Sequence, residues 1–308
     1  MLSLSKIVLY GGLGAMIGMV CFLLAMTFTH VFALIKQRKQ LKENQASNVS
    51  EQANNSTVLK VVSFNIRCCD DKNGNSISER APRLFKVISP YNADVLGLQE
   101  YTPKWESEIK RYFGDEYDMF NKYRTTTGWV ESGPILWRKN KFELLNSGCF
   151  WLSDTPEIES FGGDESKHNR ICTYVTLKEI ASGKIFTFFN THFGFGEEYQ
   201  LKSAKIICEY VKKISSYPTF LTGDFNLTPD SIVYKEITKH LRDVNALTTN
   251  DWRPTFHGYC LPPERNEHID YCFIDDKIVA RNSHLIDELD NGLFPSDHYG
   301  LYSEIEIL

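Results

Sequence analysis

The sequence predicts a mixed α/β domain in which two packed β-sheets are covered by helices, and three observations lead there. From Val58 onward, strand-like and helix-like segments alternate, the signature of a layered α/β architecture. After Ser132 the strand-like runs are too numerous for a simple doubly wound sheet. The 308-residue chain is 42% hydrophobic and 13% aromatic, which supplies a sizeable core and argues against wholesale disorder.

Each element has its own signal. "VLKVVSFNI" is a β-branched run and reads as a strand. In "SERAPRLFKVISPY", Arg80, Arg83 and Lys86 fall on one side and Leu84, Val87 and Ile88 on the other, so it reads as a helix. "ADVLGLQE" is a second strand. "PKWESEIKRYF" is a second helix, with Trp105, Ile109, Tyr112 and Phe113 at helical spacing. "PILWRKNKFELLNSGCFWLS", "RICTYVTLKEI" and "KIFTFFNTHF" are strands joined by short turns, one of them Ala181-Ser182-Gly183. "EEYQLKSAKIICEYVKKI" is a long helix, and the apolar run before "GDFN" is a strand. "DSIVYKEITKHL" reads as a further helix. "HIDYCFIDDKIVARNSHLI" and "HYGLYSEIEIL" return to strand. No internal repeat of fixed short period is present.

Ahead of this domain, residues 7–35 read "IVLYGGLGAMIGMVCFLLAMTFTHVFALI", interrupted only by His30 among ionisable side chains other than Cys and Tyr. That exceeds the roughly 20 apolar residues that a bilayer helix needs, and no small-x-small cleavage site stands out. Residues 1–36 are therefore expected to be a single-pass membrane anchor. Residues 37–57, rich in Gln, Asn and Ser, form a flexible linker, and the catalytic domain spans 58–308. Lys36, Arg38, Lys39 and Lys42 follow the apolar run, against Lys6 before it. The positive-inside tendency puts the domain on the cytoplasmic side. A signal anchor with an external domain is the opposing reading. It draws on the sequons at Asn48, Asn54 and Asn55, triplets that the composition of the linker alone would produce.

The formal net charge of −5 argues against a general nucleic-acid binder. It does not exclude a nuclease, because a metal ion supplies local positive charge. Eight cysteines are present without any CxxC spacing, and several sit in apolar runs. Buried free thiols in a reducing compartment are expected rather than a disulfide framework.

The polar residues that stand out sit at strand ends. Asn65 closes the first strand and Glu100 the second. Asn190 and His192 close a later one, and Asp224 and Asn226 follow it in "TGDFN". His268 and Asp270 lie in "HIDYCF", and Asp297 and His298 immediately precede the last strand. Singly, each has a bland explanation: an Asx turn, a helix cap, a core acid or a satisfied buried histidine. Gathered on one rim of a layered domain, they describe a site.

In order, "SFNIR", "LQE", "NTHF", "TGDFN", "HIDY" and "SDHYG" resemble the signatures of the endonuclease/exonuclease/phosphatase superfamily of metal-dependent phosphoesterases. The resemblance covers nearly all of residues 58–308. The segment "PILWRKNKFELLNSGCFWLSDTPE", with "NRICTY", looks like a mostly bacterial branch. The superfamily includes pancreatic-type deoxyribonucleases, abasic-site endonucleases, inositol-polyphosphate phosphatases and neutral sphingomyelinases. The resemblance implies a four-layer α/β sandwich with two central mixed sheets flanked by helices. It implies that Asp224 orients and deprotonates a water that Asn226 fixes, that Asp270 holds His298 protonated, and that His192 and Arg170 donate to phosphate oxygens. No catalytic tyrosine matches, Tyr123 being only a weak candidate, so the leaving-group acid has no assignment.

Phosphate-ester hydrolysis needs a cation on the phosphoryl oxygens, an activated water and donors for the developing charge. Asn65 and Glu100 are hard oxygen donors, with Asp297 as a further ligand, a set that suits Mg²⁺ or Mn²⁺ better than Zn²⁺. The expected function is hydrolysis of a phosphate mono- or diester, on a lipid or a small metabolite near the membrane, by a monomer. A nuclease is the alternative.

Overall fold

The structure is a computed structural model that describes residues 36, 39, 57–263 and 267–308. In chain order the elements are β1 (Thr57–Asn65), α1 (Ile77–Ile88), β2 (Val95–Gln99), α2 (Glu106–Phe113), β3 (Tyr117–Phe120) and β4 (Ile135–Arg138). Then come β5 (Phe142–Trp151), β6 (Ile171–Glu179), β7 (Ile185–His192), α3 (Glu197–Ile214) and β8 (Thr219–Asp224). Last are α4 (Ile232–Ile237), β9 (Arg242–Asp243), α5 (Val244–Leu247), β10 (Asp270–Ile274), β11 (Ile278–Ile286) and β12 (Gly300–Ile307). The short strands β3 and β9 have no strong signal in the sequence. The helix expected over "DSIVYKEITKHL" is confined to Ile232–Ile237, capped by Ser231 Oγ on the backbone N–H of Val233.

Two six-stranded mixed sheets result, ordered β11-β12-β1-β2-β4-β3 and β5-β6-β7-β8-β10-β9. One apolar cluster fills the space between them, including Leu59, Val61 and Leu301 from the first sheet and Phe186, Phe188 and Phe220 from the second. A second cluster packs α1 and α2, through Leu84, Trp105 and Ile109, on the outer face of the first sheet. A third packs α3, through Ala204, Ile207 and Val211, on the outer face of the second. The layering is helix, sheet, sheet, helix. No helix among the described residues is long and apolar enough to cross a membrane. The anchor expected at residues 7–35 lies outside them, as does the expected linker apart from Lys39 and Thr57, which opens β1. The seven cysteines among the described residues are unbridged, and Cys68, Cys172, Cys208 and Cys272 are buried.

Strand parity aims the site. Side chains alternate faces along a strand, and the odd positions Leu59 and Val61 of β1 face the inter-sheet core. The same parity carries Ser63 and then Asn65 toward the second sheet at the strand's end. On β7, Phe186 and Phe188 face inward, so His192 does too; on β8, Phe220 predicts Asp224; on β10, Cys272 and Ile274 predict Asp270. β1 runs parallel to β2, and β7 parallel to β8, so the carboxyl ends of each pair lie together. β10 is antiparallel to β8 and pairs Asp270 with Asp224, which brings its amino end to the same rim.

A buried polar bridge ties the two sheets just beneath that rim. Asn190 Nδ2 donates to Leu98 O at 2.8 Å, and its Oδ1 accepts from Gln99 Nε2 at 2.8 Å and Thr222 Oγ1 at 3.1 Å. Gly97 makes room for this. A Cβ there would lie 2.5 Å from Thr222 Oγ1 and 2.7 Å from Asn190 Oδ1. Gly97→Ala is therefore expected to cost about 1–3 kcal/mol of stability by overpacking and by breaking the Asn190 bonds. Denaturant unfolding of the variant checks this, and an unchanged midpoint would contradict it.

Candidate active site

The rim opens into a cleft of about 1020 Å³ whose walls include Glu100, His192, Asp224, Asn226, Asp297, His298 and Arg170. Seven of the nine sequence-predicted site residues thus face one space. Asn65 and Asp270 lie directly behind it, in contact with Asp224 and His298 respectively.

Asp224 is buried and receives Asn65 Nδ2 at 2.9 Å on Oδ2 and the backbone N–H of Asn226 at 3.0 Å on Oδ1. The second bond is an Asx turn, and Asn226 sits in the left-handed region at φ +51°. The strand has already ended there, so it is this turn, and not shared strand parity, that brings Asn226 beside Asp224. The Asn226 amide then reaches His192 Nε2 at 3.1 Å and Phe193 O at 3.0 Å. Burial and the facing Asp270 carboxylate push Asp224 up to about 7, against the opposite pull of His298 and Asn65.

His298 Nδ1 lies 2.9 Å from Asp270 Oδ2, and its Nε2 lies 3.7 Å from Asp224 Oδ2. Burial alone would strip the ring of its proton. Asp270 and Asp224 outweigh burial and raise it to about 10, so it is an imidazolium at neutral pH. The ligating atoms of Asp224, Asp270 and His298 lie within 4.8 Å of one another, a spacing open to a cation. The proton on His298 already fills that role, since both ring nitrogens face carboxylates.

On the other wall, Glu100 receives Cys68 N at 2.8 Å and Asn65 Nδ2 at 3.1 Å. It holds a left-handed backbone at φ +61°, a strain that functional residues commonly carry. The loop bearing Cys68 is pinned by the buried guanidinium of Arg80, which donates to the carbonyls of Arg67 at 3.0 Å and Cys69 at 2.7 Å. Asp297 lies 3.6 Å from Arg67 Nε, and burial followed by the Glu100 charge raises its carboxyl. Arg67 N donates to Asn65 Oδ1 at 3.0 Å, and Asn65 Nδ2 links Glu100 to Asp224.

His192 is neutral: burial and the nearby Arg170 guanidinium drive it well below the ordinary histidine value. Arg170 is 4% exposed, and its Nε donates to Asp164 Oδ2 at 3.0 Å. Asp164 also accepts from Phe195 N at 2.7 Å. Arg124, tied to Glu131 at 2.8 Å, lines the cleft beside Arg170. Arg124, Glu131 and Asp164 escape a sequence reading because they sit in irregular loops, and no strand end or spacing marks them. Tyr123 stacks on Tyr101 away from the cleft, and His268 is held by Arg253 O at 2.9 Å as a buried structural residue.

The sequence profile of the Endonuclease/Exonuclease/phosphatase family matches residues 187–298. The crystal structure of an endonuclease/exonuclease/phosphatase from Bacteroides vulgatus superposes with a TM-score of 0.75 at 31% identity, covering 82% of this chain and 100% of that one. This chain belongs to the endonuclease/exonuclease/phosphatase family. It is a hydrolase of phosphoester bonds, in a superfamily that depends on divalent metal. A mannosyl-6-phosphatase of Bacteroides thetaiotaomicron superposes with a TM-score of 0.73 at 25% identity, covering 80% of this chain and 99% of that one. Human tyrosyl-DNA phosphodiesterase 2 is 23% identical over 284 residues, 83% of this chain and 70% of its own length. An Acanthamoeba polyphaga mimivirus protein is 27% identical over 180 residues, and the match spans 66% of its length.

The electrostatics of this family member make a direct prediction. Asp270→Asn removes one of the two carboxylates that hold the His298 proton, so its titration midpoint is expected to fall from about 10 by about 1–3 pH units. Imidazole nitrogen NMR on the full chain reads it, and an unmoved midpoint would refute the pairing.

Proposed function

We propose that this protein hydrolyses phosphate esters with Mg²⁺ or Mn²⁺, by attack of a water that Asp224 orients and deprotonates. The observation that carries this reading is the setting of Asp224. It is a buried carboxylate pushed up to about 7, fixed by Asn65 and Asn226 on one side and facing an imidazolium on the other. A base with that value takes a proton near neutral pH and releases it again.

Glu100 and Asp297 are the residues that would hold the ion. They are hard oxygen donors on one wall: burial and the Glu100 charge raise Asp297, against the pull of His298 and Arg67, whereas Glu100 is held below the usual carboxylate value despite its burial. Such a pair fits a divalent cation better than it fits solvent. When bound there, the ion would supply Lewis acidity to the phosphoryl oxygens. Asn65 keeps Glu100 oriented. His298 supplies a fixed positive charge to the developing negative charge, with Asp270 setting its tautomer. Neutral His192 and Arg170 donate hydrogen bonds to the phosphate oxygens.

The apolar run 7–35 and its basic flank support a single-pass anchor with the domain on the cytoplasmic side, close to lipid or small-metabolite phosphate esters. The likeness to a mannosyl-6-phosphatase favours a small phosphorylated metabolite. The likeness to tyrosyl-DNA phosphodiesterase 2 favours the second reading, action on nucleic acid.

A panel of sugar phosphates, sphingomyelin and single-stranded DNA, assayed with Mg²⁺, with Mn²⁺ and then with a chelator, decides between them. Activity is expected on at least one ester, and the chelator should abolish it. Asp224→Ala should lower kcat about 10²–10⁴-fold on the best substrate, the usual share of a general base. In the wild type, kcat/KM should fall as the pH drops below about 7, where Asp224 takes up a proton. Wild-type rates in the Asp224 variant would remove it from the base role.

A further inference from the structure

Arg124 and Arg170 are both 4% exposed, and both line the catalytic cleft together with Glu100, His192 and Asp224. Each is tied to a single carboxylate: Arg124 Nη1 to Glu131 at 2.8 Å, and Arg170 Nε to Asp164 at 3.0 Å. A guanidinium carries five N–H donors in a fixed fork. Arg124 Nε and Nη2 and Arg170 Nη1 have no hydrogen-bond partner, although they are buried. The same two arginines, with His192 and Ser132, also line a small recess of about 10 Å³, and Ser132 Oγ is likewise without a partner. That is about the least space that admits one water, and a water accepts fewer hydrogen bonds than these nitrogens donate.

The backbone that carries Arg124 and the carboxylate that holds Arg170 are both fixed. Trp151 Nε1 donates to Arg124 O at 2.8 Å, and Arg124 N donates to Glu131 O at 2.8 Å. Asp164, fully buried, is itself fixed by Phe195 N at 2.7 Å and Ser166 N at 3.1 Å. Buried donors that are fixed and unpaired at the wall of a binding cleft indicate an acceptor that arrives with the ligand. Guanidinium forks match the oxygens of phosphate.

We propose that Arg124 joins Arg170 in a two-guanidinium clamp on the peripheral oxygens of a terminal phosphate, which makes the cleft selective for phosphate monoesters. This rests on the phosphoesterase reading above and narrows it. A diester presents two non-bridging oxygens, which the Glu100–Asp297 wall and the His192–Arg170 donors already engage. A monoester has a third, with a second negative charge, and Arg124 supplies the donors for it. Arg124 is thereby a specificity residue outside the Asp224–His298 machinery.

The test compares p-nitrophenyl phosphate with bis(p-nitrophenyl) phosphate on the full chain, beside calorimetric binding of inorganic phosphate. Wild type should prefer the monoester. Arg124→Met, which keeps the aliphatic stem, should weaken phosphate binding about 10–100-fold and lower monoester kcat/KM by a similar factor. The diester rate should change less than about 3-fold, because a diester lacks the third oxygen. Arg124→Lys keeps the charge and guards against misfolding, and it should also lose the monoester preference because the fork is gone. Equal losses on both esters, or phosphate binding unchanged in either variant, would overturn the clamp. If wild type hydrolyses neither ester with any metal, the phosphoesterase reading fails. Phosphate binding that depends on Arg124 would still separately support the clamp.

Discussion

Asp224 and Asp270 stand directly opposite each other in the antiparallel register of β8 and β10, both buried, and His298 lies against both. Two like charges in a cross-strand pair repel, and burial deprives them of water's screening. The imidazolium resolves the conflict on one side and the Asn65 amide on the other. The rest of the site depends on this balance. Burial first, and then the incompletely relieved charge of Asp270, let Asp224 bind a proton near neutral pH, which is the property a water-activating base needs. An apolar replacement of the trio would pack more cheaply, so the arrangement is one that stability alone does not favour.

The fold makes the arrangement possible by sorting strand ends. β1, β2, β7 and β8 deliver their carboxyl ends to one rim, and β10 its amino end, as the paired registers require. The core between the sheets is apolar where it is deep, with Phe186, Phe188 and Phe220. It turns polar toward the rim, first in the Asn190–Gln99–Thr222 bridge and then in the site itself. The bridge fixes the spacing of the two sheets where it matters most. Glu100 and Asn65 come from one sheet, while Asp224, His192 and Asp270 come from the other. A shift of one sheet against the other would separate Glu100 from Asp224.

The strand-end residues were legible in the sequence because each flanks an apolar run, at its carboxyl end for Asn65, Glu100, His192 and Asp224 and at its amino end for Asp270, Asp297 and His298. Two packed sheets with helices outside followed from the same runs, and the four-layer sandwich from the family resemblance. What could not be read was whatever tertiary contacts decide. Arg80 has the spacing of a residue on the polar side of α1, yet it is fully buried against Trp105, with its nitrogens occupied by the loop that presents Cys68 to Glu100. Asn226 shares strand parity with Asp224 on paper, but the chain leaves the strand and turns left-handed before reaching it. Arg124, Glu131 and Asp164 belong to loops without periodicity, and only their burial and pairing in three dimensions mark them.

The central claim is that carboxylates from separate elements create one divalent-cation centre beside a water-activating base. Anomalous diffraction from crystals soaked with Mn²⁺ tests it most directly. The account predicts one strong peak bound to a carboxylate oxygen of Glu100, on the Asp297 side of the cleft and clear of the Asp224–His298–Asp270 trio. A peak inside that trio with Glu100 unligated, or no ordered ion anywhere along the cleft, would contradict it.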